Sequence, residues 1–369
     1  MDNNSYKIQN YEAVCLIVII MINKLILNIP YHISSLVGTG SGVNVIYVGI
    51  IDLIFVLILN KLLKKFQNSD ILDISEYLGG KTFKLVIGIF FIIFFFFVSF
   101  ITLIDFCKML QIIYFNNFSI IYITLFFIIA AGVINLIGFK SIIRTACLIV
   151  PFALISILVS FFGGFEKFSF ENFVPFFGYN YRTTFITGSI NIYSMYIIAY
   201  FYFLTPLLKD SINLKKITII SYSICWILLF LTIISILTLF PITNGTQSIN
   251  TLYLLSRKIE VGTYIQRVDT LFILVWIMCI FSYLSITIFF INRIIRKMTN
   301  ILDEKIITFS TCSILFGIGL LPLNVSAITF LERDLYKYIV IGIVFILSFL
   351  IVVFANMKFR VKKGIKHTI

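Results

Sequence analysis

The chain has 369 residues, 60% of them hydrophobic and 12% charged, with a mean hydropathy of +1.07. Soluble globular chains run at roughly 45–50% apolar and about 25% charged, so this composition excludes a soluble enzyme, a disordered chain and a disulfide scaffold, and points to a polytopic membrane protein. The formal charge of +13 reads as membrane topology, because cytoplasmic loops collect Lys and Arg; no nucleic-acid partner is expected.

Apolar stretches of about 20 residues can cross a bilayer as helices. Ten are predicted, at 11–37, 42–63, 84–113, 118–139, 142–162, 184–208, 217–240, 268–292, 306–321 and 336–356, in one integral membrane domain spanning 1–369. The first is interrupted by Asn23-Lys24 and then by Pro30; the second carries Asp52 near its middle. Residues 64–82 place Ile71, Leu72, Ile74, Tyr77 and Leu78 among Asp70, Asp73 and Glu76, the pattern of a short interfacial helix stopped by Gly79-Gly80. The third span holds Asp105 and Lys108 one turn apart, read as an interfacial ion pair. In the sixth, Thr187-Gly-Ser-Ile-Asn191 is small and polar, and Pro206 ends the span. The stretch 241–267 reads as a second interfacial segment through Ile249, Leu252, Leu254 and Leu255.

With the N-terminus inside and the spans alternating, 20 of the 29 Lys and Arg fall on the inner side, 8 on the outer, and Lys24 alone within a span. Both termini are therefore expected in the cytoplasm, with the first span a retained helix rather than a cleaved signal. The six cysteines lie in or beside apolar segments without a CxxC pair, and only two histidines are present. They are read as packing residues, with no metal site, cofactor or disulfide framework. Gly38–Gly42 lacks the Lys-Ser/Thr of a phosphate loop and joins two membrane helices, so it reads as a turn. No enzymatic motif is present, and Asn-x-Ser/Thr triplets at Asn117 and Asn244 are too short to carry meaning.

Intramembrane charges are the stronger signal, because one at mid-bilayer costs at least ~2.5–3.5 kcal/mol. Lys24, Asp52 and Asp105 are the candidates for ion coupling, with Lys24 paired to Asp52 or to Asp105. Breaks in the first and sixth spans expose backbone groups that transporters use to hold carboxylates and ions. Their placement, each in the first helix of a set of five, matches a five-plus-five inverted repeat.

Tyr11-Glu-Ala, Tyr77-Leu78-Gly79-Gly80-Lys81, Asn172-Phe-Val-Pro175 and Ile265-Gln-Arg267-Val-Asp269 together resemble motifs of the spore germination permeases, the B subunits of nutrient germinant receptors, a branch of the amino acid–polyamine–organocation transporters. Tyr11-Glu-Ala through Ile29-Pro30-Tyr31 has the family's spacing in helix one. Leu72 and Tyr77-Leu78-Gly79-Gly80-Lys81, followed by Gly88, resemble its L-G-K-x-x-G pattern, and Asn172-Phe-Val-Pro175 its N-L-x-P motif. Ile265-Gln-Arg267-Val-Asp269 with Trp276-Ile277 resembles the signature opening helix eight, and Leu321-Pro322-Leu-Asn324 also fits. The chain departs from the pattern in helix one, where Asn23-Lys24-Leu25 stands for Gly-x-Gly, and in helix six, where Tyr200 stands for a frequent glutamate.

The resemblance implies an all-α, ten-helix transporter-like fold with broken helices one and six. Its central site would be lined by helices one, three, six and eight, here Met21, Ile22, Asn23, Lys24, Leu25, Phe94, Val98, Ile197, Tyr200, Tyr283 and Thr287. Arg267 and Asp269 are read as anchoring the outer start of helix eight. The implied role is a receptor subunit in the spore inner membrane. It would bind a small nutrient, an amino acid by expectation, and signal through an A subunit and a C-subunit lipoprotein. Two alternatives stand beside it: an active amino acid/cation permease, and a structural subunit with a degenerate pocket.

Overall fold

The computed structural model describes residues 7–27, 29–163, 165, 168–178, 180–209, 213–239, 251–257, 269–299, 301, 303–321 and 325–367. Among them the regular structure is helical, apart from one isolated parallel bridge between Ile8 and Leu208. Among the described residues, eight helices are long and apolar enough to cross a membrane: Ile29–Leu63, Ile71–Ile113, Ile120–Ile137, Phe139–Gly163, Arg182–Leu207, Leu214–Leu239, Asp269–Thr299 and Leu331–Phe359. The other two predicted spans correspond to shorter helices, α1 (Asn10–Ile26) and Glu304–Gly319, while α2 (Ile29–Val37), predicted as the end of the first span, runs on into the Ile29–Leu63 helix.

α1 starts at Gln9, whose backbone N–H donates to the Glu12 carboxylate at 2.6 Å. It runs unbroken through Asn23 and Lys24 and ends at Ile26. The interruption therefore lies beyond the two polar residues, for a steric reason: Pro30 has no N–H, and its ring would strike the carbonyl four residues back, that of Ile26. Every residue of α1 from Leu16 to Ile26 is buried, the mark of a central helix, and it packs on α6 (Phe139–Gly163), α8 (Leu214–Leu239) and α10 (Asp269–Thr299). The sixth span is also broken. It passes from a π-helical turn at Arg182–Ile186 to a 3-10 segment at Thr187–Met195, then to the short α7 (Ile198–Leu204), buried at every position. Two interrupted helices thus occupy the interior.

α3 (Ser41–Leu63) packs against α8. α4 (Ile71–Ile113) joins the expected interfacial helix to the third span across a bend at Gly80, which has φ 77. That left-handed backbone is open to glycine at little cost. Asp70 caps α4, accepting from the Leu72 and Asp73 backbone N–H at 3.2 Å each. The fully buried Asp70 carboxylate also meets Lys297 of α10 at 2.5 Å, with Arg293 at 3.9 Å, and Lys297 reaches Asp73 at 2.7 Å. Beside this cluster Lys358 donates to the Tyr77 and Leu78 carbonyls at 3.0 and 2.9 Å. One end of the bundle is closed by these contacts and by the N-terminal segment, where Ile8 N–H donates to the Leu207 carbonyl at 2.8 Å and Lys209 N–H to that of Ile8 at 3.1 Å.

α5 (Ile120–Ile137) is capped by Ser119, and α11 (Glu304–Gly319) by Asp303, which accepts from Lys305 N–H at 2.9 Å. α9 (Thr251–Arg257) lies in the predicted second interfacial stretch, and Ile249 of that prediction lies outside the described residues. After α12 (Val325–Phe330) the last span begins at Leu331, five residues before the predicted start. It runs through π-helical turns, α13 (Tyr336–Val340) and α14 (Ser348–His367). Glu332, read in sequence as part of an outer loop, is 7% exposed and lies within this helix.

Candidate functional site

The last turns of α1, before the break, are tied to neighbouring helices by side chains. The Asn23 amide donates to the Ile19 carbonyl at 2.7 Å and, across the interface, to the Cys279 carbonyl of α10 at 3.0 Å. The Tyr196 hydroxyl, from the sixth span, donates to the Ile20 carbonyl at 2.7 Å. One bond, from Tyr196 to Ile20, thus ties the two broken helices together, and Asn23 ties α1 to α10, in an interior where an unmet polar group would cost on the order of 2–7 kcal/mol.

Next to this junction sits a cluster of titratable side chains. Lys24, 2% exposed, places its ammonium 4.8 Å from the Tyr336 ring centre. Asp105 of α4 and Glu332 of the last span are the two charges acting on Lys24, and their carboxyl groups lie within hydrogen-bonding reach of each other. His32 of α2 completes the set, its Nε2 3.7 Å from the Glu332 carboxylate. Lys24, His32 and Glu332 are buried, and Asp105 is partly buried. Four segments far apart in the chain, α1, α2, α4 and the last span, supply one lysine, one histidine and two carboxyl groups.

Aromatic side chains wall the cluster. The Tyr336 ring lies 5.9 Å from Tyr193 and 6.1 Å from Tyr196, and Tyr196 lies 6.4 Å from Tyr200. Tyr200 packs on Phe95 at 5.1 Å and Phe290 at 5.2 Å. Thr102 donates to the Val98 carbonyl at 2.7 Å, and its hydroxyl oxygen lies 3.4 Å from that of Tyr283. The Tyr336 hydroxyl and both ring nitrogens of His32 are buried without a hydrogen-bond partner among the described residues. Buried polar groups are nearly always paired, so unspent donors and acceptors grouped around an ionic cluster are what a polar guest would engage. A zwitterion suits the arrangement: Lys24 attracts a carboxylate, Asp105 and Glu332 an ammonium, and the tyrosine rings cover an aliphatic portion.

The predicted pocket residues all lie in the core: Met21, Ile22, Leu25, Phe94, Val98, Ile197, Tyr200, Tyr283 and Thr287 are 0% exposed, and Asn23 and Lys24 2%. Their functions differ. Asn23 is spent on backbone carbonyls, and Thr287 donates to the Tyr283 carbonyl at 3.0 Å. Phe94 stacks within its own helix on Phe91 and Phe95, and it is Phe95 that meets Tyr200. Of the two pairings considered for Lys24, Asp105 is a neighbour. Asp52 lies elsewhere, 0% exposed, both oxygens without a hydrogen-bond partner among the described residues, in a narrow crevice beside Gly49, Asn191 and Ser194. Asp105 and Lys108 interact along α4 as their spacing predicts. Asp269 opens α10 and accepts from the Tyr114 hydroxyl at 3.5 Å. Arg267 and the motif residues Ile265, Gln266, Val268 and 322–324 lie outside the described residues.

Sequence reasoning missed His32, Glu332, Tyr193, Tyr196 and Tyr336. A signal for two of them existed: Ile328, Glu332, Tyr336, Val340 and Val344 recur every four residues and are all buried, so the helical stripe that carries the apolar positions also carries Glu332.

A family model described as spore germination protein matches residues 7–328 of the chain. No curated protein matches it in sequence.

Proposed function

The chain belongs to the spore germination protein family, and from that premise we propose that it is the membrane-embedded subunit of a nutrient germinant receptor, binding an amino acid at the Lys24–Asp105–Glu332–His32 cluster. The observation that carries this reading is the cluster itself. Burying charged groups costs several kcal/mol per ion, and apolar side chains of equal volume are often as stable or more so. Such a group in a membrane bundle is by default a functional one. Its position at the junction of the two interrupted helices supports a ligand whose presence shifts the balance between two arrangements of those helices. An A subunit and a C-subunit lipoprotein would read the shift in the spore inner membrane, with both termini of this chain in the cytoplasm.

The test is optical loss of dormancy in spores lacking only this chain, against a panel of amino acids, sugars and ions. Loss of response to one nutrient class, with the partner subunits present, is expected; an unchanged response to every nutrient would overturn the receptor role.

A second reading, a cation-coupled amino acid permease, draws on Asp52, a lone carboxyl group in the second span that no described side chain neutralises. Uptake of labelled amino acid into vesicles carrying the purified chain separates it from the first: receptor function predicts binding without accumulation.

A further inference from the structure

A second cavity, of about 510 Å³, opens between the end of α3 and the start of α8. Its cationic wall is Lys61, Lys64 and Lys215, and its apolar floor includes Leu57 and Leu214; no acidic side chain is among its described lining residues. Hydrogen bonds brace the surround: Asn60 donates to the Thr218 hydroxyl at 2.7 Å, and Thr205 to the Ser69 carbonyl at 2.9 Å. None of these lysines belongs to the cluster at the broken helices.

The face of α3 leading to the cavity changes character along its length. Ile50, Ile54, Leu57, Lys61 and Lys64 follow one another at spacings of four, three, four and three, so they line one side of the helix. The first three are exposed, at 55%, 52% and 40%. At 1.5 Å per residue the stripe from Ile50 to Lys64 is about 21 Å long, half the ~40–45 Å of a bilayer with its head groups. Its apolar part, Ile50 to Leu57, runs for about 10 Å, roughly two-thirds of the ~15 Å of one leaflet's acyl region, and the stripe turns basic where a phosphate would sit.

We propose that this crevice is a binding site for an anionic phospholipid of the surrounding membrane, the phosphodiester held by Lys61, Lys64 and Lys215 and one acyl chain lying along Ile50, Ile54 and Leu57. Basic pockets between membrane helices at the interface select anionic head groups, each Lys contributing on the order of a few-fold to tenfold in affinity. The apolar stripe argues for the lipid over a free phosphate, which would gain nothing from it.

The full chain, purified in detergent, is unfolded thermally in the presence of dihexanoyl phosphatidylglycerol, dihexanoyl phosphatidylcholine or glycerol 3-phosphate. Phosphatidylglycerol is expected to raise Tm well above the other two. The variant K61Q/K64Q/K215Q should bind it about a hundredfold more weakly, while K81Q/K140Q/R144Q, equal in charge change, keeps the wild-type response. Equal shifts with both lipids, or a retained response in the first variant, overturn the site. A matching shift with glycerol 3-phosphate overturns the lipid as its occupant. Should that variant not fold, salt decides on the unaltered chain. Raising NaCl from about 0.05 to 0.5 M shortens the screening length several-fold and should abolish the preference for phosphatidylglycerol; a preference that persists contradicts the proposal.

Discussion

Lys24 and Glu332 show how one side chain's cost depends on its neighbours. Removing either unbalances the buried cluster, leaving Lys24 with Asp105 alone or the two carboxyl groups without their lysine, which costs at most on the order of 3–5 kcal/mol, whereas removing both leaves less unpaired. Lys24→Met and Glu332→Gln should each lower stability more than half of what the double variant loses, with a coupling of about 1–3 kcal/mol in a double-mutant cycle read by denaturant unfolding. Additive losses would place the two groups outside each other's influence. Gly49 makes a different residue-level demand. A Cβ there would stand 2.0 Å from Nε1 of Trp226, which donates to the Val45 carbonyl at 3.1 Å. Gly49→Ala must push the indole off that bond, so it should destabilise by about 1–3 kcal/mol and shift the tryptophan emission. Trp226→Leu in the same chain should recover most of the loss.

At the scale of elements, most segments were legible because hydrophobic run length and Gly or Pro punctuation are local. The bend at Gly79-Gly80, the small polar break of the sixth span and the interruption near Pro30 were readable from residue type alone. The exact ends were not: α1 carries Asn23 and Lys24 inside its last turn because the steric limit comes from Pro30, not from the polar pair. The ionic cluster was half legible. Lys24 and Asp105 stand out as charges inside apolar runs, but Glu332 and His32 sit at helix ends, where a charge or a lone imidazole looks ordinary. The contact between residues 32 and 332 has no local signature. Two predictions belong here. Gly80 faces open space with φ 77 and ψ −171, a conformation essentially reserved for glycine, so Gly80→Ala should cost only the backbone term, about 1–3 kcal/mol, and Gly80→Asn no less, by thermal unfolding. In the cluster closing one end of the bundle, Lys297→Gln should destabilise more than Asp70→Asn, because the first leaves a fully buried carboxylate with Arg293 at 3.9 Å as its counter-charge and the second keeps an oxygen for the cap.

At the scale of the molecule, two broken helices occupy the interior, a titratable cluster lies at their junction, and the Asp70–Lys297 contacts close one end of the bundle. The expected orientation puts that end in the cytoplasm. In a chain freed of its six native cysteines, a cysteine at Gln67 should react with impermeant maleimide only from the cytoplasmic side, and one at Tyr181 only from the outside. The reverse pattern would invert the topology. The central claim is that the cluster holds an amino acid. It is tested most directly by thermal unfolding of the purified chain against a panel of amino acids, with Lys24→Met alongside. A ligand at a hundred times its Kd stabilises by about 2.7 kcal/mol, so one amino acid class should raise Tm by a few degrees in the wild type and not in the variant. An equal rise in both chains, or none with any amino acid, would contradict it.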